Sequence, residues 1–208
     1  MNAWKRVSAV CLCLVCAGMF LTGCGKTAKQ QQNIAEEDMP YGSTMRENKT
    51  AFAIPLTYDR RFVDDDMAAA AADLYAAIQN QDAALYQAST FDYYASYQQD
   101  KVYKAGSMDE VMQKLHASIA QDTAEDFEFK MVLLNDVDTN MEAGELGEIS
   151  KMLGALYTGD TNFHDSVEDA WDFTVEFNLA YENQSKFLTV EDQHLFMFKT
   201  KDGYFCVV

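Results

Sequence analysis

The sequence predicts an α+β domain, with helices in its first half packed on a curved antiparallel meander formed by its second. Three observations predict it. Beyond Asp64, apolar residues recur three to four apart, the spacing of buried helix faces. Over residues 171–179 apolar and polar residues alternate strictly, the period of a half-buried strand. Near the end, Asp202-Gly203 separates two aromatic-rich runs, a hairpin signature.

The chain of 208 residues opens with Lys5 and Arg6, then an apolar run over 7–21 that ends at Leu21-Thr22-Gly23-Cys24. That run is short for a membrane span and stops abruptly. The tetrapeptide resembles a bacterial lipobox, in which small residues let a peptidase cut just before a cysteine. The resemblance implies a signal peptide over 1–23 and a diacylglyceryl group on the sulfur of Cys24. It further implies a lipid anchor on the extracytoplasmic face of the bacterial cell membrane, stable once two or more acyl chains are attached. Cys11, Cys13 and Cys16 would leave with the signal and Cys24 would be capped. Cys206 alone remains, so the mature domain has no internal disulfide and no paired-cysteine zinc site.

Residues 24–51 are polar, with Gln30-Gln31-Gln32 and Glu36-Glu37-Asp38, and show no period; they read as a flexible tether before one domain over 52–208. Within that domain residues 52–58 form a short apolar segment, a candidate strand. Asp64-Asp65-Asp66 opens a helix carrying Met67, Ala70, Ala71, Leu74 and Ile78, with acids placed to cap and to favour its N-terminal dipole. Asn80-Gln81-Asp82 interrupts, and a second helical stretch holds Leu85, Tyr86, Phe91, Tyr94 and Tyr97. Ser107 and Glu110 fit a capping box for a third helix with Val111, Met112, Leu115 and Ile119 on one face. Phe127, Phe129, Met131 and Leu133 then share one strand face, and a helix over 145–157 follows. The next strand places Trp171, Phe173, Val175, Phe177, Leu179 and Tyr181 inward. Glu182 to Ser185 turns into a long strand, and the Asp-Gly hairpin closes the sheet.

The two N-terminal helices and the closing run Phe196-Met197-Phe198-Lys199-Thr200-Lys201-Asp202-Gly203-Tyr204-Phe205-Cys206-Val207-Val208 resemble the nuclear-transport-factor-2-like superfamily, the cystatin-like cone folds. Many members end in such a hairpin with an aromatic just after it. The resemblance covers residues 64–208, and the helix over 145–157 departs from it. It implies helices on a cone-shaped sheet, and it hosts enzymes and binding modules alike.

Charge excludes one class of partner. The formal net charge is −17, so no basic excess is present to engage nucleic acid. No glycine-rich phosphate loop, nucleophile elbow, HExxH pair or internal repeat occurs, and no cofactor is implied. The leading reading is therefore a lipid-anchored binding or protein-interaction module for an envelope protein or small ligand. The alternative is a small pocket enzyme, a hydrolase or isomerase.

Register supplies the alternative's site. With Glu182 to Ser185 as a four-residue loop, Trp171 faces Phe196, Phe173 faces His194, Val175 faces Asp192 and Phe177 faces Val190. With Asp202-Gly203 as the hairpin loop, Phe198 faces Val207 and Thr200 faces Phe205. Asp192 and His194 would then point to the apolar side as an acid/base pair, in a pocket rimmed by Trp171 and Phe173. A bulge at Glu191-Asp192-Gln193 would instead turn both outward, and Glu176 opposite Glu191 favours one. Leu195, Met197, Cys206 and Val208 fall on the other sheet face, to be covered by residues 52–58 or by a second copy in a homodimer. Asp136, Asp138 and Asn140 are spaced like a calcium loop, but Met141 and Gly147 stand where an EF-hand needs glycine and glutamate. Asp160, Asn162, His164 and Asp165 make a polar loop. His116 borders its helix's apolar stripe, and Tyr93, Tyr94, Tyr97 and Tyr103 read mainly as core and core edge.

Overall fold

Among the described residues six strands lie in one sheet in chain order: β1 (Met45–Asn48), β2 (Leu56–Asp59), β3 (Phe127–Asp138), β4 (Asp169–Tyr181), β5 (Lys186–Thr200) and β6 (Gly203–Val207). Neighbours are antiparallel except β2 and β3, which run parallel. A parallel pair needs a long crossover rather than a tight turn. Helices α1 (Asp65–Asn80), α2 (Ala83–Ser89), α3 (Asp92–Tyr97) and α4 (Met108–Ala120) supply it, with one π turn at Gln98–Val102. Two further helices, α5 (Gly144–Leu156) and α6 (Phe163–Ser166), fill the connection from β3 to β4. The class is α+β, with six helices among the described residues against an open, mostly antiparallel sheet and one parallel pair outside the expected meander.

This computed structural model describes residues 35, 36, 39–120 and 126–208, and Met39–Val208 form one compact unit. The signal peptide, Cys24 and the tether before residue 35 lie outside the described residues. No helix among those described is long and apolar enough to cross a membrane.

Local chemistry explains the helix ends. Asp64 caps α1 by accepting from Met67 N at 2.8 Å. Gln81 ends α1 in the left-handed region, and Asp82 caps α2 through Ala84 N and Leu85 N. The expected second helix is broken in two because Thr90 is extended. In α4 Glu110 N donates to Ser107 Oγ at 3.3 Å, while the Glu110 carboxylate accepts from Gly106 N at 2.8 Å.

Residues 39–51, expected as tether, are folded. Asp59 is fully buried and accepts from Gly42 N at 2.9 Å and Thr44 Oγ1 at 2.5 Å. Arg61 pairs with it at 2.8 Å and donates to the carbonyls of Met39 and Pro40. The Arg61 guanidinium is the main reason the Asp59 carboxyl is held well below the ordinary carboxylate range. Polar composition alone hid this arm, because its order comes from one buried partner elsewhere in the chain.

Three one-residue offsets decide which side chains face which way. Two lie on β3, between Phe129 and Met131 and between Leu134 and Asp136. After the first, Val132 and Leu134 point inward, so Met131 and Leu133 leave the face they were expected to share with Phe127 and Phe129. The third lies on β5, where Asp192 has φ +56°. Phe177 meets Val190 as expected, but Val175 meets Gln193, Phe173 meets Leu195 and Trp171 meets Met197. A one-residue slip moves every later side chain to the opposite face. The last hairpin turns at Lys201-Asp202, so Phe198 meets Phe205 and Thr200 meets Gly203. That shift is by two residues and leaves the faces unchanged.

Both faces are consequently covered. On the first, α1 lies over Phe173, Val175, Phe177, Leu195, Met197 and Cys206, and its alanines permit close approach to the strands. On the second, Leu146, Leu153 and Phe163 join Phe91 and Tyr94 over Ala170, Phe198 and Val207. Leu195, Met197 and Cys206 are fully buried within the chain, so the argument for a second copy on that face falls away. Burial pushes the Cys206 thiol up to about 12, which leaves it inert as a nucleophile.

Candidate functional site

The second face carries the polar residues. On β4 the side chains of Ala170, Asp172 and Thr174 alternate with the apolar set that faces α1. The β5 offset swings His194 and Phe196 to this same side, with His194 opposite Thr174 and Phe196 opposite Asp172. The second β3 offset does the same for Asp136 and Asp138, and Asp138 lies directly opposite Asp172. The first turn of α5 adds Glu145.

These residues meet at His194. Its Nδ1 stands 2.7 Å from Asp172 Oδ1 and its Nε2 3.2 Å from Glu145 Oε2. Asp172 is 8% exposed. Burial raises its pKa above the ordinary aspartate value, the His194 hydrogen bond opposes this, and Glu145 and Asp138 add to it. A neutral imidazole has one N–H for these two carboxylates. The Nδ1 contact with buried Asp172 sets the ring orientation and leaves Nε2 facing Glu145. The Glu145 side chain is 65% exposed, so a ligand reaches Nε2 by displacing it, without opening the core. The Phe196 ring stacks beside the imidazole at 5.8 Å between centroids.

Two glycines hold Glu145 in place. Gly144 adopts φ +62°, and a Cβ there would stand 3.7 Å from Asp138 Oδ2. At Gly147 a Cβ would fall 2.9 Å from the carbonyl carbon of Glu142, so only glycine lets that loop cross the first turn of α5.

Of the residues singled out in the sequence, only His194 reaches this centre directly. Asp192 is exposed at the β5 offset, as the bulge reading requires. Trp171 and Phe173 lie on the first face, Phe173 fully buried and Trp171 against Tyr204, so neither rims a pocket at His194. Asp136, Asp138 and Asn140, the calcium-loop candidates, each accept a local backbone hydrogen bond. Asp136 accepts from Val137 N, Asp138 from Asn140 N and Asn140 from Glu142 N. His116 is buried, with Nδ1 3.0 Å from Ile78 O and its ring stacked on Phe127. Tyr94 is core, as expected, and donates to Val208 O.

Asp172 and Glu145 were missed. Asp172 was legible as the one acid in β4 whose neighbours at i−2 and i+2 are the small Ala170 and Thr174. Glu145 carried no such mark, since its partner is far away in sequence.

Among the described residues Glu145, Asp172 and His194 are also the set whose ligand atoms, all within 4.8 Å of one another, could hold a metal ion. Beside Glu145 a groove of about 470 Å³ runs between α5 and β5, lined by Ile149, Met152 and Phe196. A hollow of similar size, about 490 Å³, lies elsewhere among Phe91, Tyr93, Tyr157 and Lys201 and includes none of the three. Comparison with known proteins returns no match to a family model, a curated protein or a solved structure.

Proposed function

We propose that this chain is a small acid/base enzyme of the hydrolase or isomerase type, displayed outside the bacterial cell membrane by a lipid on Cys24. One observation carries the catalytic half: His194 is oriented from below by buried Asp172, and its Nε2 is covered only by the exposed side chain of Glu145. In this reading Asp172 is a positioning residue, which keeps the Nδ1 proton and stabilises the ring once charged. His194 Nε2 takes a proton from the substrate or its attacking water and returns it to the leaving atom. Glu145 guards Nε2 in the free protein. The groove beside it gives this reading more support than a purely protein-interacting module has.

The test is turnover on a panel of chromogenic esters and amides. His194→Ala should lose about 10²–10⁴-fold, the usual worth of a positioned acid/base group. Asp172→Asn should lower kcat with little change in KM and shift the pH profile. Turnover that survives His194→Ala sinks the enzyme reading, and a silent panel returns the domain to a binding role.

The anchor rests on Lys5, Arg6, the apolar run and Leu21-Thr22-Gly23-Cys24. Cys24→Ala should move the protein from the membrane to the soluble fraction. Kinship with the nuclear-transport-factor-2-like superfamily is proposed on the helices before the sheet and the closing hairpin, with the parallel β2–β3 pair and α5 as departures.

A further inference from the structure

The geometry points to the substrate class of this site: a molecule with a linear apolar chain and a positively charged amine head. The inference rests on His194 as the working group and adds what lies beside it. Along α5, Glu145, Glu148, Ile149 and Met152 stand at positions i, i+3, i+4 and i+7, one continuous stripe of a helix. Leu146 and Leu153 of α5 are fully buried in the second core, and Ile149 and Met152 pack against its edge with one side left open. Ile149 and Met152 are half-buried, and Phe196 of β5 completes the lining of a groove of about 470 Å³ that is open to solvent along its length.

The groove is graded along its length. Ile149, Met152 and Phe196 make an apolar wall, and Glu145 and Glu148 stand at its polar end. The charges around that end are Glu145, Glu148, Asp138 and Asp172 against Lys151, which pairs with Glu148 at 2.8 Å, and His194. A cationic head is attracted there, and a carboxylate or phosphate head is repelled. The head group has a second consequence. An ammonium that pairs with Glu145 draws its carboxylate away from Nε2, which exposes His194 only once substrate is seated. Binding and unmasking are then one event.

Three probes with an eight-carbon chain, each kept below its micelle-forming concentration, test this on the full chain: octyltrimethylammonium, octyl glucoside and octyl sulfate. Calorimetry should rank them in that order, with the cation at least about tenfold tighter than the sulfate, equivalent to 1.4 kcal/mol. The ¹³C-methyl resonance of Met152 should move with the cation and the glucoside. Glu145→Gln with Glu148→Gln should erase the preference for the cation and leave glucoside affinity unchanged, since both side chains are exposed. Met152→Glu should weaken the glucoside at least fivefold. Equal affinity for all three, a static Met152 resonance, or a preference that survives both glutamine substitutions would overturn the inference. His194→Ala separates the two claims. It should abolish turnover and leave probe ranking intact. Lost ranking with His194-dependent turnover removes only the substrate class. Intact ranking with His194-independent turnover removes only the acid/base reading.

Discussion

On the first face of the sheet α1 buries nine residues, five of them alanine, whereas on the second α5 buries four. The first helix is enclosed by strands, α2 and α4 and admits no charge. The second is enclosed on one stripe only, and its other stripe borders solvent and the groove. A carboxylate at Asp172's depth needs a partner, because an unpaired charge in that setting is costly. The first face holds His116, but in the interior, against Ile78 O and Phe127. The second brings His194 from β5 and Glu145 from the helix end, each still reachable from water. The site sits where the fold is incompletely covered, and the face that carries stability is left free of chemistry.

The sharpest way to break this comparison is to cut into each core. Phe177 is 2% exposed and meets Tyr75 and Phe129 edge-on at 5.0 and 5.2 Å. Phe177→Ala should cost about 3–5 kcal/mol in urea unfolding, and Leu153→Ala about 2–3 kcal/mol. Equal costs would show that α5 is as firmly held as α1.

Gly147→Ala comes next. Its new Cβ meets the Glu142 backbone, so the first turn of α5 must shift, at about 1–3 kcal/mol. The Glu145–His194 contact should be lost and the Asp172–His194 hydrogen bond kept, both read from ¹⁵N shifts of the imidazole. Loss of both would mean that α5, not β4, orients the ring.

The pH dependence should be smaller. A carboxyl whose pKa is raised by folding binds its proton more tightly in the folded state. Stability from Asp172 is thus fully present below the ordinary aspartate value, about 3.9, and declines as pH rises through the raised one. Asp172→Asn should flatten that decline, and His194→Ala should steepen it, because the imidazole hydrogen bond opposes the shift. Denaturant midpoints between pH 3 and 7 read both.

The smallest effect belongs to Asp192. It is the extra residue of the β5 offset and sits at φ +56°. Deleting it leaves Val175 opposite Gln193 and Thr174 opposite His194, so stability should change by less than about 1 kcal/mol and the site should persist. Deleting Leu195 instead would flip the rest of β5 and should abolish cooperative unfolding.

Much of the fold was legible in the residues themselves. The Asp64 cap, the helical spacing of Met67, Ala71, Leu74 and Ile78, and the alternation from Phe173 to Leu179 all appear where the spacing put them. The four-residue turn Glu182 to Ser185 also forms, with Tyr181 opposite Lys186. Of the site, His194 was singled out, with the wrong neighbour, while the mark on Asp172, its small neighbours Ala170 and Thr174, went unused.

The reason is range. Caps, periods and tight turns are interactions between residues a few positions apart, so sequence by itself determined α1, α4, β4 and the existence, though not the register, of the closing hairpin. It also carries the lipobox expectation at Cys24, a linear motif that needs no fold to be read. The offsets at β3 and β5 are cross-strand events, chosen by which face of each strand the core can accept, and no local pattern records them. Only the tertiary structure could exchange Asp192 for Asp172 beside His194, set Phe173 and His194 on opposite faces, and bring Glu145 across from α5. A single inserted residue inverts a strand's faces, and that inversion is decided by the whole sheet.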